Sequence, residues 1–303
     1  MLKMIIRKFL TKYKLRFKYT GIIISPSVIF INYGNFQYGK NCIFYKECSV
    51  DISGSLVLGD DVIIRKDTDI DAYKIRIGND VSIQKHSYIS GEVSIGSYCI
   101  FAPNVFISSG RHEFRRVPTL NIRDQDSLEK NKYEFESISI GEDCWLGINV
   151  VVLPGVRIGK GCIVGANSVV TQSLPPYSIA VGTPARVISK RLTFDPPVEI
   201  WPCDDHVPYF YEGFLTRVND RNSGTIKLSK PSFTVSLNIE NVKFVKLQIE
   251  GSSSIFSGIK KFQIKDELVS INISDLLVND SFIDFSCDAQ NWKSVRIKKI
   301  WTE

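Results

Sequence analysis

The sequence predicts an all-β chain: a parallel β-helix followed by a β-sandwich. Three observations carry this. Ile140 to Pro175 reads in sixes, with Ile140-Gly141, Leu146-Gly147, Val152, Ile158-Gly159, Val164-Gly165 and Val170 at the aliphatic places. Two positions before the later aliphatics stands a small or β-branched residue: Cys144, Val150, Val156, Cys162 and Ser168. A period of six is neither helical nor a plain strand alternation; it fits a coil whose every side is one short strand plus a turn. From about residue 208 the pattern changes to period two, as in Phe233 to Ile239 and Phe244 to Ile249, between Gly, Ser and Asn turns. That reads as a jelly-roll-like sandwich.

The coil pattern extends upstream. Tyr38-Gly39, Leu58-Gly59, Ile77-Gly78 and Ile95-Gly96 each begin a set of three sixes, a triangular coil of 18 residues. Gly96 to Gly141 spans 45, so one coil carries an insertion of about 27 residues, placed right after His112. A polar excursion from a regular stack usually carries function, because the stack gains nothing from it. Residues 113–139 read as an extended loop, and residues 21–37 as an irregular first coil. The domains expected are a basic helix over 1–20, a β-helix over 21–190, a linker over 191–207 with Pro196, Pro197 and Pro202, and the sandwich over 208–303.

Five of the seven cysteines, Cys42, Cys48, Cys99, Cys144 and Cys162, fall in the fifth place of a hexad, which points inward and must be small. They read as buried free thiols, in keeping with a reducing cytosol. No run of about 20 apolar residues is present, so no helical membrane span is expected. Net charge is +6, yet residues 1–20 hold seven cations and no acid, leaving −1 elsewhere; nucleic acid is therefore not an expected partner. In residues 1–20, Leu2, Ile5, Phe9, Tyr13 and Phe17 recur at helical spacing among the cations. Two readings stay open. One is a helix on the anionic inner face of the cytoplasmic membrane. The other is a cap on the open end of the β-helix. The segment lacks the cleavage site of a signal peptide, so the expected location is cytoplasmic.

On the first side the outward sixth places are Ile43, Ile63, Ser82, Ile100, Trp145 and Ile163, an apolar row that marks a partner surface, with a closed homo-oligomer the common case. His112 reads as an outward sixth place on the third side, at the mouth of the insertion, where an imidazole can take a proton from a hydroxyl or amine. His86 sits in a fourth place above Asn104, Asn149 and Asn167, a column of turn residues.

Cys144-Trp145-Leu146-Gly147, Val152-Leu-Pro-Gly-Val156, Gly165-Ala-Asn-Ser-Val-Val-Thr171 and Gly182-Thr-Pro-Ala-Arg186 resemble the hexapeptide-repeat acyltransferases. Phe101 to Val105 followed by Ser108 to His112 is similar to the catalytic-histidine segment of the maltose, nodulation-factor, xenobiotic and polysaccharide O-acetyltransferase branch. The resemblance covers roughly residues 38–190. It implies a left-handed β-helix, a homotrimer with active sites between subunits, and acetyl-CoA as co-substrate with no metal. It implies His112 as general base; His86 and Asn104 are candidate helpers, with a turn role the favoured alternative for His86. Trp145 and Gly147 would line the thioester arm, and Gly165, Ala166 and Ser168 the pantetheine. Thr183, Pro184 and Arg186 would lie near the adenine, and Lys190 and Arg191 would meet the phosphates. Branch members acting on small sugars often carry Asn where this chain has His86. The implied activity is acetyl-CoA-dependent O-acetylation of a bacterial surface polysaccharide (capsule or O-antigen) or its precursor. The alternatives are N-acetylation of an amino sugar or nucleotide sugar, and an inactive scaffold. A γ-class carbonic anhydrase needs three zinc histidines, and the residue five after His112 is Val117.

Overall fold

A computed structural model of the chain describes residues 21–128, 136–211, 214, 226–229, 231–240, 242–251, 254–257, 260–279, 282–287 and 295–303. The expected helix over 1–20 lies outside them. The chain divides into two units, Met1–Thr193 and Phe194–Glu303.

In the first unit the chain runs through β1 (Ile22–Ile24), β2 (Ile29–Gln37), β3 (Cys42–Phe44), β4 (Ser49–Leu58), β5 (Ile63–Ile64), β6 (Asp69–Ile77), β7 (Ser82–Ile83), β8 (Tyr88–Ile95), β9 (Ile100–Phe101) and β10 (Phe106–Ser108). After a helix, α1 (Ile122–Leu128), come β11 (Ile138–Ile140), β12 (Trp145–Leu146), β13 (Val151–Val152), β14 (Arg157–Ile158), β15 (Ile163–Val164), β16 (Val169–Val170), β17 (Ser178–Gly182) and β18 (Ala185–Lys190). Strands pair parallel with the equivalent strand one coil on. One sheet runs β1-β3-β5-β7-β9-β12-β15-β17-β18, and a second runs β16-β13-β10-β8-β6-β4-β2 with β11 and β14 beside it. This is the β-helix the hexads predict.

Two columns of residues with positive φ turn the corners. Asn41, Asp61, Asp80, Tyr98, Asp143 and Tyr177 form one; Glu47, Asp67, His86, Asn104, Asn149 and Asn167 form the other. Asn and Asp tolerate this backbone best among non-glycine residues. At the turns backbone N–H groups reach the preceding coil: Asp61 donates to the Lys40 carbonyl at 2.7 Å and Asp143 to that of Ser97 at 2.9 Å. Gly141 answers a different need. A Cβ there would lie 2.6 Å from the Lys160 backbone nitrogen, so only glycine lets the coils close up.

The inward places form one apolar core, from Val28 to Ala185. Each aliphatic side chain stacks on its counterpart, and full burial of such a side chain stabilises by about 1.5–3 kcal/mol. All five prism cysteines are buried, and each thiol donates to a carbonyl on the next coil: Cys99 to Gly141 at 3.1 Å, Cys144 to Gly159 at 3.2 Å and Cys162 to Pro175 at 3.0 Å, for example. Burial pushes the Cys48 thiol up to about 11 and that of Cys162 to about 12.

Two features correct the sequence reading: the length of the early coils and a helix inside the excursion. The early coils are longer than three sixes: the pairs Ile43–Ile63, Ile63–Ser82 and Ser82–Ile100 give 20, 19 and 18 residues. β4 and β6 run through two sides, and the surplus appears as register shifts between Asp51 and Ser55 and between Ala72 and Lys74. Residues 22–37 form the irregular first coil: β1 aligns with β3 and β2 with β4, with register shifts between Phe30 and Tyr33 and between Tyr33 and Asn35. The stack ends on β18, which pairs antiparallel with β17 and so offers no parallel edge for another coil. The excursion is not wholly extended, because α1 lies within it.

In the second unit the strands are β19 (Glu199–Ile200), β20 (Ile226–Lys227), β21 (Ser232–Ser236), β22 (Phe244–Glu250), β23 (Ser254–Ser257), β24 (Lys260–Gln263), β25 (Leu268–Asn272), β26 (Leu277–Asn279), β27 (Phe282–Cys287) and β28 (Arg296–Thr302). They make two antiparallel sheets, β19-β28-β22-β25 with β20, and β21-β27-β23-β24 with β26. Alternation buries Val245, Leu247 and Ile249 of β22 with Phe210, Phe214, Phe233 and Ile297 in a single core. The expected linker over 191–207 is largely built into this unit. Phe194 stacks on Phe282 with ring centroids 5.9 Å apart, β19 pairs with β28, and the Pro197 carbonyl accepts from Asn238 N–H at 2.8 Å. Prolines there keep the chain extended while apolar neighbours pack. Among the described residues no helix is long and apolar enough to cross a membrane.

Candidate active site

The site follows from where the chain leaves the stack. Ser109 is the last laddered residue: its N–H donates to the Ser90 carbonyl at 3.2 Å, and its hydroxyl accepts from Glu92 N–H at 2.7 Å. The Ser109 carbonyl then accepts from Glu136 N–H at 3.1 Å, so the chain returns beside its exit. His112 therefore stands inside the excursion, not in the outward third-side place expected for it. Ser139 occupies that place, paired with Ser94.

The His112 side chain is 82% exposed. Its Nδ1 lies 2.5 Å from Oδ2 of Asp126, which α1 presents, and Oδ1 of Asp126 accepts from the Glu113 N–H at 2.9 Å. Those two bonds, the backbone one first, hold the Asp126 carboxyl below the usual carboxylate range. Glu113 is also lowered, by accepting from the N–H groups of Arg115 and Arg116 at 2.7 and 3.1 Å. Beside Asp126, the buried Gln125 accepts from Val117 N–H at 3.0 Å and donates to the Leu120 carbonyl at 3.1 Å, tying α1 to the preceding segment. Arg111 pairs with Glu136 at 2.7 Å, across the neck of the excursion. Asp126 was not singled out in the sequence. Its only signal is position, since α1 is too short to show a helical apolar period.

The helpers expected near His112 have turn roles. His86 and Asn104 both take positive φ. Asn104 donates to Asn149 at 2.9 Å, and Asn149 to Asn167 at 2.8 Å. His86 is half-exposed, with Nδ1 3.8 Å from Asp67.

The residues expected along a coenzyme groove divide. Trp145, Ala166, Thr183, Pro184, Arg186 and Lys190 are exposed. Trp145 sits in the outward row Ile23, Ile43, Ile63, Ser82, Ile100, Trp145, Ile163 and Ile179, which runs along one sheet in register. Ser168 is a correction: it is fully buried, and its hydroxyl accepts from Gly182 N–H at 3.0 Å, because the fifth place points inward. Gly147 is buried too, and a Cβ there would meet Ala166 N at 2.7 Å, so coil stacking alone requires a glycine. At Gly165 the obstacle would be the Val181 side chain, at 2.6 Å. Arg191 is paired with Asp143 at 2.7 Å, both half-exposed.

Comparison with known proteins bears on what this arrangement does. The bacterial transferase hexapeptide (six repeats) family matches residues 74–109 and 137–172, passing over the same excursion that the structure throws out. WbbJ of Escherichia coli, a putative lipopolysaccharide biosynthesis O-acetyl transferase, is 32% identical over 158 residues, 50% of this chain and 80% of that protein. WcaF of Escherichia coli, a putative colanic acid biosynthesis acetyltransferase, is 31% identical over 157 residues, 52% and 70% of the two chains. A probable acetyltransferase of Mycobacterium tuberculosis is 33% identical over 138 residues, 46% of this chain but only 38% of its own length. Among solved structures, the N-acyltransferase AntD from Bacillus cereus, with dTDP and 3-hydroxybutyryl-CoA bound, has TM-score 0.39 at 21% identity, covering 60% of this chain and 88% of that one. The fold and the site's hexads define a transferase of the hexapeptide-repeat class. This chain belongs to the bacterial hexapeptide transferase family, whose relatives here are named acetyltransferases.

Proposed function

We propose that the chain is an acetyl-CoA-dependent O-acetyltransferase that modifies a hydroxyl of a bacterial surface polysaccharide or its precursor, with His112 as general base. The observation that carries this reading is an imidazole 82% exposed on the one excursion from the stack, in a chain related over most of their length to transferases named for lipopolysaccharide and colanic acid. His112 removes the acceptor proton as the hydroxyl oxygen attacks the thioester carbonyl. The C–S bond breaks, and the imidazolium returns the proton to the leaving thiolate. A positioned base is worth about 10²–10⁴-fold, and joint binding of both substrates supplies much of the remainder. Trp145, Ala166, Thr183, Pro184, Arg186 and Lys190 are exposed and free to meet the coenzyme. Apolar surface near Trp145 suits the pantetheine arm, and the cations suit its phosphates. The outward row from Ile23 to Ile179 supports assembly into a homotrimer with the groove between copies.

Labelled acetyl-CoA incubated with the full chain and a panel of lipopolysaccharides, capsules and nucleotide sugars tests the reading. The expected product is an acetyl ester, released by alkaline hydroxylamine. Label held in a hydroxylamine-stable amide would replace the reading with N-acetylation, and no transfer to any acceptor would favour a scaffold.

A further inference from the structure

We propose that Asp126 is the positioning residue for His112, and that the excursion exists to deliver it. This rests on the reading of His112 as base. The excursion is built from local polar contacts. Asn121 starts α1, its carbonyl accepting from Gln125 N–H at 3.0 Å and its amide donating to Asp124 at 3.1 Å. Gln125 fixes α1 to the backbone of Val117 and Leu120. The next residue, Asp126, then grips two consecutive positions: the ring of His112 through Oδ2 and the backbone N–H of Glu113 through Oδ1. A carboxylate held at both oxygens has one orientation. It is an acceptor only, so the proton of a neutral ring belongs on Nδ1 and the lone pair on Nε2.

The consequence is chemical rather than structural. An ion pair this exposed adds little to stability, but it decides which nitrogen can take a proton. It also places a negative charge where the imidazolium forms, the base–orienter geometry of activated nucleophile systems. Held at Nδ1, the ring has only Nε2 to offer an acceptor hydroxyl.

Two measurements on the full-length protein test this. Ring ¹⁵N shifts of labelled histidine, with His112 identified by comparison with His112→Gln, report the tautomer without reference to activity. The wild type is expected to carry its proton on Nδ1. Asp126→Asn, whose amide can donate to Nδ1, is expected to shift the neutral ring toward the Nε2–H form. In transfer assays Asp126→Asn should lower kcat about 10- to 100-fold with KM for acetyl-CoA within about two-fold, and Asp126→Glu should recover part of the loss. A wild-type ring protonated on Nε2, an unchanged tautomer in Asp126→Asn, or kcat within about two-fold of wild type would overturn the inference. Full turnover by His112→Ala would instead overturn the reading of His112 as base, while the ¹⁵N shifts would still decide what Asp126 does to the ring.

Discussion

Between Cys99 and Pro175 two kinds of structure share one stretch of chain. In the coils each buried residue lies over its counterpart: Leu146 pairs with Val164, and Val152 with Val170. In the excursion after Ser109 the order comes instead from side chains of Asn121, Gln125 and Asp126 bonded to backbone or ring atoms a few residues away. The stack holds itself by repetition and burial. The excursion holds itself by single polar contacts, and the candidate base stands there. Rigid scaffold and functional loop are thus separable, which is the general division of labour in solenoids. The difference predicts that changes in the stack cost stability and changes in the excursion cost activity.

The largest effect on the fold is expected from Gly141→Val. Even its Cβ would lie 2.6 Å from Lys160 N and 2.9 Å from Lys160 Cα, backbone that cannot move without separating two coils. A loss of about 3 kcal/mol is expected, seen as a Tm fall on the order of 10 °C; an unchanged Tm would break the comparison. Replacing residues 111–135 by a short Gly-Ser linker is the converse case. Ser109 and Glu136 are already joined by a 3.1 Å hydrogen bond, and closing a short flexible loop costs little. The shortened chain should keep its Tm within about 5 °C, while transfer falls to background. A smaller effect concerns the thiols. Burial raises Cys48 to about 11 and Cys162 and Cys287 to about 12, so at pH 8, well below those values, they stay protonated and unreactive. Half-buried Cys203 is the expected site of fast alkylation. Mass spectrometry should find one modified thiol per native chain and seven in denaturant; rapid labelling of Cys99 or Cys144 would show the stack open.

The contrast also marks what could be read from the sequence. The coils were legible because each inward place is filled by a side chain of fixed size at fixed spacing; Cys99, Cys144 and Cys162 announce the register by themselves. The surplus residues of the 20- and 19-residue coils were not, because a corner absorbs them without changing the inward pattern. The exit at Ser109 was misplaced by three residues. Counting by 18 puts His112 in the ladder, whereas the hydroxyl of Ser109 and the Ser109–Glu136 bond end the ladder earlier. The α1 helix left no periodic signature, since Gln125, the buried residue among those whose burial is described, is polar. Asp126 was invisible for the same reason: its role depends on α1 meeting residues 112 and 113. The strand Glu199–Ile200 was hidden by flanking prolines that resemble a linker.

The central claim is that His112, standing outside the stack, removes the acceptor proton. His112→Ala tests it most directly, in a transfer assay with labelled acetyl-CoA and the acceptor found in the glycan panel. Folding is measured by Tm and coenzyme binding by titration. The account predicts an unchanged Tm, acetyl-CoA affinity within about two-fold of wild type, and transfer lowered by at least about 10²-fold. Turnover within a few-fold of wild type, on a protein that folds and binds normally, would contradict it.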